Sequence, residues 1–257
     1  MEYTIEKMFG VKDKVIVVTG GTRGIGMGLC EGLASLGAKV IATGSSDASA
    51  EKARREFAGK GIDCEVIRMN VAEEKDVKEA AQYIIKKYGR IDGLVNNAGI
   101  QHLAEATEFD IDEFNDVFNV NVTGIMRCAK HFAKYMLENN YGRIVNVSSV
   151  RGSQGKARYE AYAASKGAVN TLTKALACEF AEKGITVNAV APCFTLTDIT
   201  RHQLDNKAFC DWAYSRIPMR RLCEVSDLLG ATVYLLSDIA SFITGVVIPV
   251  DGGWLAG

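Results

Sequence analysis

The sequence predicts an α/β chain, a single-domain doubly wound parallel β-sheet over residues 1–257. Three observations carry that reading. Short β-branched runs without polar alternation recur along the chain, as strands buried on both faces require. Amphipathic stretches of ten or more residues separate them, the spacing of strand–helix–strand crossovers. No composition shift, linker, internal repeat or low-complexity segment divides the chain.

Residues 14–19 (Lys-Val-Ile-Val-Val-Thr) are the first such run and lead into Gly20-Gly21-Thr22-Arg23-Gly24-Ile25-Gly26. A helix follows to about residue 35, closed by Gly37, and residues 39–43 form the second strand. Residues 51–60 read as a charged amphipathic helix and 65–69 as the third strand. Apolar positions at helical spacing run through 73–88 and stop at Gly89. The fourth strand, 93–95, breaks at Asn96-Asn97-Ala98-Gly99. One long helical region covers 114–139, before a fifth strand at 143–147. A helix over 159–183 leads to strand six, 186–190. Beyond Pro192 a mobile-looking stretch reaches Pro218, then a helix covers 226–236 and a last strand 246–249.

Hydrophobic residues make up 48% and charged residues 24%, which describes a globular chain rather than a disordered one. A formal net charge of −1 gives no electrostatic reason to expect nucleic acid or an anionic membrane as partner. No apolar run approaches the ~18 residues of a membrane span. Met1-Glu2-Tyr3-Thr4-Ile5-Glu6-Lys7 lacks the basic-then-apolar pattern of a secretory signal. The seven cysteines are odd in number and include no C-x-x-C pair, which favours reduced thiols and a cytoplasmic protein. The three histidines (His102, His131, His202) give no ligand set, so no metal is expected.

Two stretches point to chemistry. The turn after the first strand has the spacing T-G-x-x-x-G-x-G (Thr19, Gly20, Gly24, Gly26). Glycines there let the backbone approach a pyrophosphate, and the following helix offers free N–H groups and the positive end of its dipole. Further on, Tyr162 and Lys166 stand four apart in an Ala-rich helix, one turn apart on one face. Bringing a phenol from its usual ~10 to about 7 takes on the order of 4 kcal/mol. An ammonium about 4 Å away supplies roughly that much at an effective dielectric of about 20, so the pairing permits a catalytic tyrosine.

Together, Thr19 to Gly26, Asn96-Asn97-Ala98-Gly99, Ser149 and Tyr162-Ala163-Ala164-Ser165-Lys166 resemble the motif set of the short-chain dehydrogenase/reductase family. Order and separations match, and the resemblance covers essentially the whole chain. It implies a Rossmann fold, hydride transfer between a nicotinamide and a carbonyl or secondary-alcohol carbon, and a homotetramer. Tyr162 would be the general acid/base, and Lys166 would lower its pKa and hold the nicotinamide ribose. Ser149, thirteen residues before Tyr162, would hydrogen-bond the substrate carbonyl, with Ser148 mattering less. Asn121, in Asn119-Val120-Asn121-Val122-Thr123-Gly124, would help hold a proton-relay water. The implied cofactor contacts are Gly20, Thr22, Arg23, Gly24, Ile25 and Gly26, Asn70 and Val71, Asn97, Ala98 and Gly99, and Pro192, Thr195 and Thr197, besides Tyr162 and Lys166. The chain departs from the family at Cys193, where Gly is usual, and at Asn70, where Asp is frequent.

Gly44 stands where a member preferring NAD would carry Asp, and Arg23, Ser45 and Ser46 could meet a 2′-phosphate, which favours NADP(H) over NAD(H). The expected substrate is a small carbonyl or alcohol. His102, Ser149, Arg151, Tyr159 and Trp212, with Gln101, Gln154 and Arg158, give a polar, basic pocket suited to a sugar acid or polyol. A lid is expected over residues 195–216, and the closing Asp251-Gly252-Gly253-Trp254-Leu255-Ala256 resembles members acting on keto-gluconates. A hydroxysteroid or a 3-oxoacyl group remains an alternative substrate, and a non-catalytic dinucleotide sensor the alternative of a different class.

Overall fold

The computed structural model describes residues 4–197 and 205–257. Among them, seven strands form one parallel sheet. These are β1 (Val15–Val18), β2 (Lys39–Gly44), β3 (Cys64–Arg68), β4 (Gly93–Asn96), β5 (Gly142–Val147), β6 (Ile185–Pro192) and β7 (Val247–Val250), in the order β3-β2-β1-β4-β5-β6-β7. The helices are α1 (Ile5–Phe9), α2 (Gly24–Ser35), α3 (Asp47–Gly59), α4 (Glu74–Tyr88), α5 (Ile111–Phe118), α6 (Gly124–Glu138), α7 (Glu160–Phe180), α8 (Lys207–Arg216) and α9 (Val225–Leu236). The doubly wound fold expected from the strand–helix alternation is the one observed.

Why the strands lack polar alternation is visible in β1, where successive side chains point to opposite faces. Ile16 and Val18 pack into a core with Leu29, Leu33, Phe57 and Leu228, from α2, α3 and α9. Val15 and Val17 join the other core with Ile84, Phe132 and Leu176, from α4, α6 and α7. Both faces are covered, so every position is apolar, and each fully buried side chain contributes about 1.5–3 kcal/mol. From β1 the chain builds outward through β2 and β3, then returns to place β4 on the other side. That reversal leaves a crevice outside the carboxyl ends of β1 and β4, the place where such sheets take ligands.

Most boundaries shift by a residue or two, and the larger differences from the sequence reading lie in the helices. The long helix expected over 114–139 starts earlier, at α5, whose cap Asp110 accepts a hydrogen bond from Asp112 N at 2.8 Å. A π-helical turn, Asn119–Thr123, then separates α5 from α6. Helix α3 begins at Asp47 because Ser46 and Ser49 cap each other reciprocally. Helix α7 ends at Phe180, and a short 3-10 turn, Ala181–Lys183, carries the chain to Gly184 at φ +72°. The stretch expected to be mobile contains α8, capped by Asn206 through Phe209 N at 3.1 Å and sealed by buried Ala213 and Ile217. Of the lid expected over 195–216, residues 198–204 lie outside the described residues. Among the described residues, no helix is long and apolar enough to cross a membrane.

Candidate active site

A cavity of about 380 Å³ opens at the carboxyl ends of β1, β4, β5 and β6. Its floor begins at the glycine turn. Gly20 takes φ +62°, and a Cβ there would lie 2.9 Å from Ala98 Cα. At Gly26 an added Cβ would meet Gly20 O at 2.3 Å and Asn97 Nδ2 at 2.4 Å. The turn is locked to β4's end from both sides. Thr19 Oγ1 accepts from Asn97 N and Ala98 N at 3.0 Å each, and Asn97 Nδ2 donates to Thr19 O at 2.9 Å. Gly20, Arg23, Gly24 and Ile25 line the cavity opposite Asn97, Ala98 and Gly99, at the amino end of α2. This backbone cradle, with no acid in the first turn of α2, fits the pyrophosphate of a dinucleotide.

On the adenosine side the expected contacts separate. Thr22 is buried and covers Gly44, where a Cβ would lie 2.7 Å from Thr22 Cγ2 and 2.6 Å from Ser49 Oγ. An acidic side chain at 44 has no room unless both neighbours move. Arg23 is exposed and makes no ion pair among the described residues. Ser45 and Ser46 are exposed too, but the Ser46 hydroxyl serves α3, accepting from Ser49 N at 3.2 Å. Asn70 Oδ1 accepts from Ala72 N at 3.1 Å, and Val71 packs where a Cβ on Gly124 would touch it. Thr22, Gly26, Ser45, Ser46, Asn70 and Val71 all lie off the cavity wall.

The reacting end is assembled from β5, α7 and β6. Ser149 follows β5 in extended backbone, and its Oγ accepts from Arg151 N at 3.1 Å. Ser148, one residue earlier, also borders the cavity, but its hydroxyl donates to Asn170 Oδ1 at 2.5 Å, so it holds α7. Tyr162 and Lys166, one turn apart on α7, both reach the cavity. Lys166 Nζ lies 5.6 Å from the Tyr162 ring centroid and donates to Val147 O at 2.7 Å. Burial alone brings this lysine down to about 8.

Tyr162 does not follow the expected direction. Burial pushes its hydroxyl above the ordinary value, and a hydrogen bond with Ser149 draws it part of the way back. Tyr159 raises it further and Arg151 lowers it, whereas Lys166 has no resolved part in the shift. Desolvation outweighs the nearby charge. A phenol held protonated is suited to donating a proton to a developing alkoxide.

Asn121 lies behind the wall, fixed by the π-helical turn. Its Oδ1 accepts from Ile100 N at 2.8 Å, and its Nδ2 donates to Ile100 O at 2.9 Å and Ser165 Oγ at 3.0 Å. Gly99 separates it from the lysine, since a Cβ there would lie 3.2 Å from Asn121 Oδ1 and 3.7 Å from Lys166 Nζ. Pro192, the last residue of β6, and Cys193, Thr195 and Thr197 beyond it line the cavity. Burial lifts the Cys193 thiol to about 11, so it stays protonated and unreactive at neutral pH.

Among the residues expected to hold substrate, Ser149, Arg151, Tyr159 and Gln101 line the cavity. His102 and Arg158 do not; they pair at the rim with Glu113 (3.7 Å) and Glu105 (3.4 Å). Trp212 also stays off the wall, stacked edge-on with Phe194 and Trp254 at 5.5 and 5.9 Å. Gln154 Oε1 accepts from Trp254 Nε1 at 2.8 Å. Phe194, Leu196 and Leu222 line the cavity without having been expected, because nothing in their spacing distinguishes wall from core.

Arg151 is the notable group. It is 9% exposed and sits on the cavity wall, yet among the described residues no carboxylate pairs with it. Its guanidinium reaches Gly155 O at 3.4 Å and lies 5.8 and 5.4 Å from the rings of Tyr159 and Trp254. A buried cation without a counter-charge is costly unless a ligand supplies one.

Comparison with known proteins agrees with this geometry. The family model described as "Enoyl-(Acyl carrier protein) reductase" matches residues 20–255. The 5-keto-D-gluconate 5-reductase of Escherichia coli K12 is 36% identical over 248 residues, covering 96% of this chain and 98% of that protein. A 3-oxoacyl-(acyl-carrier-protein) reductase of Haemophilus influenzae is 37% identical over 243 residues, covering 95% and 98%. Among solved structures, a gluconate 5-dehydrogenase from Burkholderia cenocepacia J2315 in complex with NADP and tartrate superposes with TM-score 0.92. That protein is 33% identical, with 99% of this chain and 100% of the other covered.

Proposed function

This chain belongs to the short-chain dehydrogenase/reductase family, and on that premise we propose that it interconverts the keto and hydroxy forms of a sugar acid with NADP(H). The observation that carries the substrate is Arg151, a buried guanidinium on the cavity wall with no carboxylate partner among the described residues. A substrate carboxylate would complete it with charge-assisted hydrogen bonds. The names of the relatives support the same class, since a keto-gluconate reductase and a gluconate dehydrogenase stand among them.

In this reading the glycine turn and the amino end of α2 hold the pyrophosphate, and Lys166, Pro192, Thr195 and Thr197 border the nicotinamide end. The bound nicotinamide supplies or accepts the hydride. Ser149 donates to the substrate oxygen, Tyr162 gives or takes its proton, and Arg151 fixes the acid end. Asn121 holds the Ile100 backbone and Ser165 in place behind Lys166, a positioning role. For the cofactor, Arg23, which makes no ion pair among the described residues, and the space above Gly44 already filled by Thr22 favour a 2′-phosphate over a ribose hydroxyl held by an acid. Ser46 contributes less than the sequence suggested, because α3 uses its hydroxyl.

Reduction of a keto-gluconate with NADPH and with NADH tests this reading. We expect a preference for NADPH of at least about tenfold in kcat/KM, roughly one phosphate ion pair. Turnover confined to a ketosteroid or a 3-oxoacyl thioester would overturn it, and absence of any turnover would leave a dinucleotide sensor.

Assembly as a homotetramer is supported by apolar groups left exposed on α5 and α6 (Ile111, Met126) and beside β7 (Phe242, Val246). Light scattering should give four times the 27.8 kDa chain mass; a monomer peak would remove the tetramer from the account. The free thiols of Cys30, Cys64, Cys128, Cys178, Cys193 and Cys223 support a reducing, cytoplasmic setting.

A further inference from the structure

Lys166 and Asn170 follow Tyr162 at intervals of four along α7, so all three fall within about 80° of one face of the helix. That face lies against the end of β5 and the loop after it, which brings Ser149 and Arg151 to the cavity. Lys166 Nζ holds Val147 O, at the last residue of β5. Asn170 takes the residues on either side of Ser149 and Arg151. Its Oδ1 accepts from the Ser148 hydroxyl at 2.5 Å, and its Nδ2 donates to Gly152 O at 3.2 Å. A backbone carbonyl can only accept, so the Gly152 contact fixes which way the amide points.

The two ends of this loop are not held alike. Ser148 is anchored by the sheet, where its backbone N–H donates to Val190 O at 2.8 Å. The hydrogen bonds along the 3-10 turn Val150–Gly152 are local. Arg151 N donates to Ser149 Oγ at 3.1 Å, Gly152 N to Ser149 O at 2.9 Å and Ser153 N to Val150 O at 3.1 Å. Such bonds set the shape of the turn, not its place over α7. Asn170 supplies that link, tying the far end of the turn to the helix that carries Tyr162. The fit is close, since a Cβ on Gly152 would lie 2.7 Å from Asn170 Nδ2 and 2.8 Å from Lys166 O.

We propose that Asn170 is a positioning residue for the reaction: by bridging the Ser148 hydroxyl and Gly152 O, it sets Ser149 and Arg151 in register with Tyr162. Asn170 is not on the cavity wall and acts through the loop alone. The bridge needs a carboxamide, because one group must accept at Ser148 and donate at Gly152. Asp keeps the acceptor, loses the donor and turns a charge toward a carbonyl; Ala loses both. A misplacement of about 1 Å at a reacting centre costs on the order of 100-fold in rate, so a residue behind the wall can govern turnover.

The test follows wild type, Asn170→Ala, Asn170→Asp and Ser148→Ala with NADPH on a keto-gluconate and an uncharged ketose, together with the pH profile of alcohol oxidation. Its substrate half rests on the sugar-acid reading; its proton half does not. In both Asn170 variants kcat should fall roughly 10- to 100-fold on either substrate, through Ser149, and KM should rise for the acid alone, through Arg151. Tyr162 faces Ser149 and Arg151 from the loop and Tyr159 and Lys166 from α7. Ser149 and Arg151 both hold its hydroxyl down, so the oxidation profile should move toward alkaline pH. Ser148→Ala should cost less, since the sheet still anchors its backbone. A role confined to packing would lower kcat with KM and the profile unmoved, and would overturn the inference, as would Asn170→Asp behaving as wild type. A wild type indifferent to the acid end would overturn the sugar-acid reading, and kcat with the pH profile would still decide the role of Asn170.

Discussion

Tyr162→Phe should lose about 10³-fold or more in kcat while NADPH affinity stays within about twofold, because the change removes one oxygen that handles the substrate proton. The ring would still pack against Tyr159, at 6.4 Å between centroids, so the fold and the cofactor cradle stand. Steady-state rates with a fluorescence titration of NADPH read both quantities; retention of a tenth of the activity would refute the acid/base assignment. The pH dependence carries a sign. Since burial raises the Tyr162 hydroxyl, it is protonated through neutral pH, and carbonyl reduction should hold level there. Alcohol oxidation needs the phenolate, so it should climb with pH, and Tyr162→Phe should flatten that climb.

Arg151→Gln is the second large effect. A hydrogen bond to a charged group is worth about 1.5–3 kcal/mol, so KM for a sugar acid should rise by roughly 10- to 100-fold with kcat less affected. An uncharged ketose should be nearly indifferent. Arg151 also helps lower the Tyr162 hydroxyl, so its loss should shift the oxidation profile further toward alkaline pH. Equal damage on charged and neutral substrates would mean that Arg151 serves only to pack Tyr159 and Trp254. Arg151→Lys is not a neutral control, since an ammonium lacks the planar fork that lies against those rings.

The parts legible in the sequence are those where one residue type is forced. Gly20 and Gly26 have no alternative because their Cβ atoms would strike Ala98 and Gly20 O, and such positions announce themselves. The β-branched strands did so as well, since both faces of β1 are covered. What the sequence hid depends on contacts between distant segments. The π-helical turn at Asn119–Thr123 leaves no periodic trace, because a single extra residue interrupts α5 and α6 without changing their apolar stripes. Ser46 read as a phosphate contact and proved a helix cap, two uses of one hydroxyl that composition does not separate. Trp212 and His102 are near the mouth, but stacking on Phe194 and pairing with Glu113 take them off the wall. For Tyr162 the spacing to Lys166 was right and the inferred direction was not, since how far burial outweighs a neighbouring charge is set by the fold.

The most direct test of the central claim is the origin of the hydrogen that arrives on the substrate carbon. The protein is incubated with a keto-gluconate and NADPH carrying deuterium at both C4 positions, and the product is read by mass spectrometry and NMR. The account predicts one deuteron per product molecule, on the new carbinol carbon. Product without deuterium at that carbon, or no hydroxy acid formed, would contradict it.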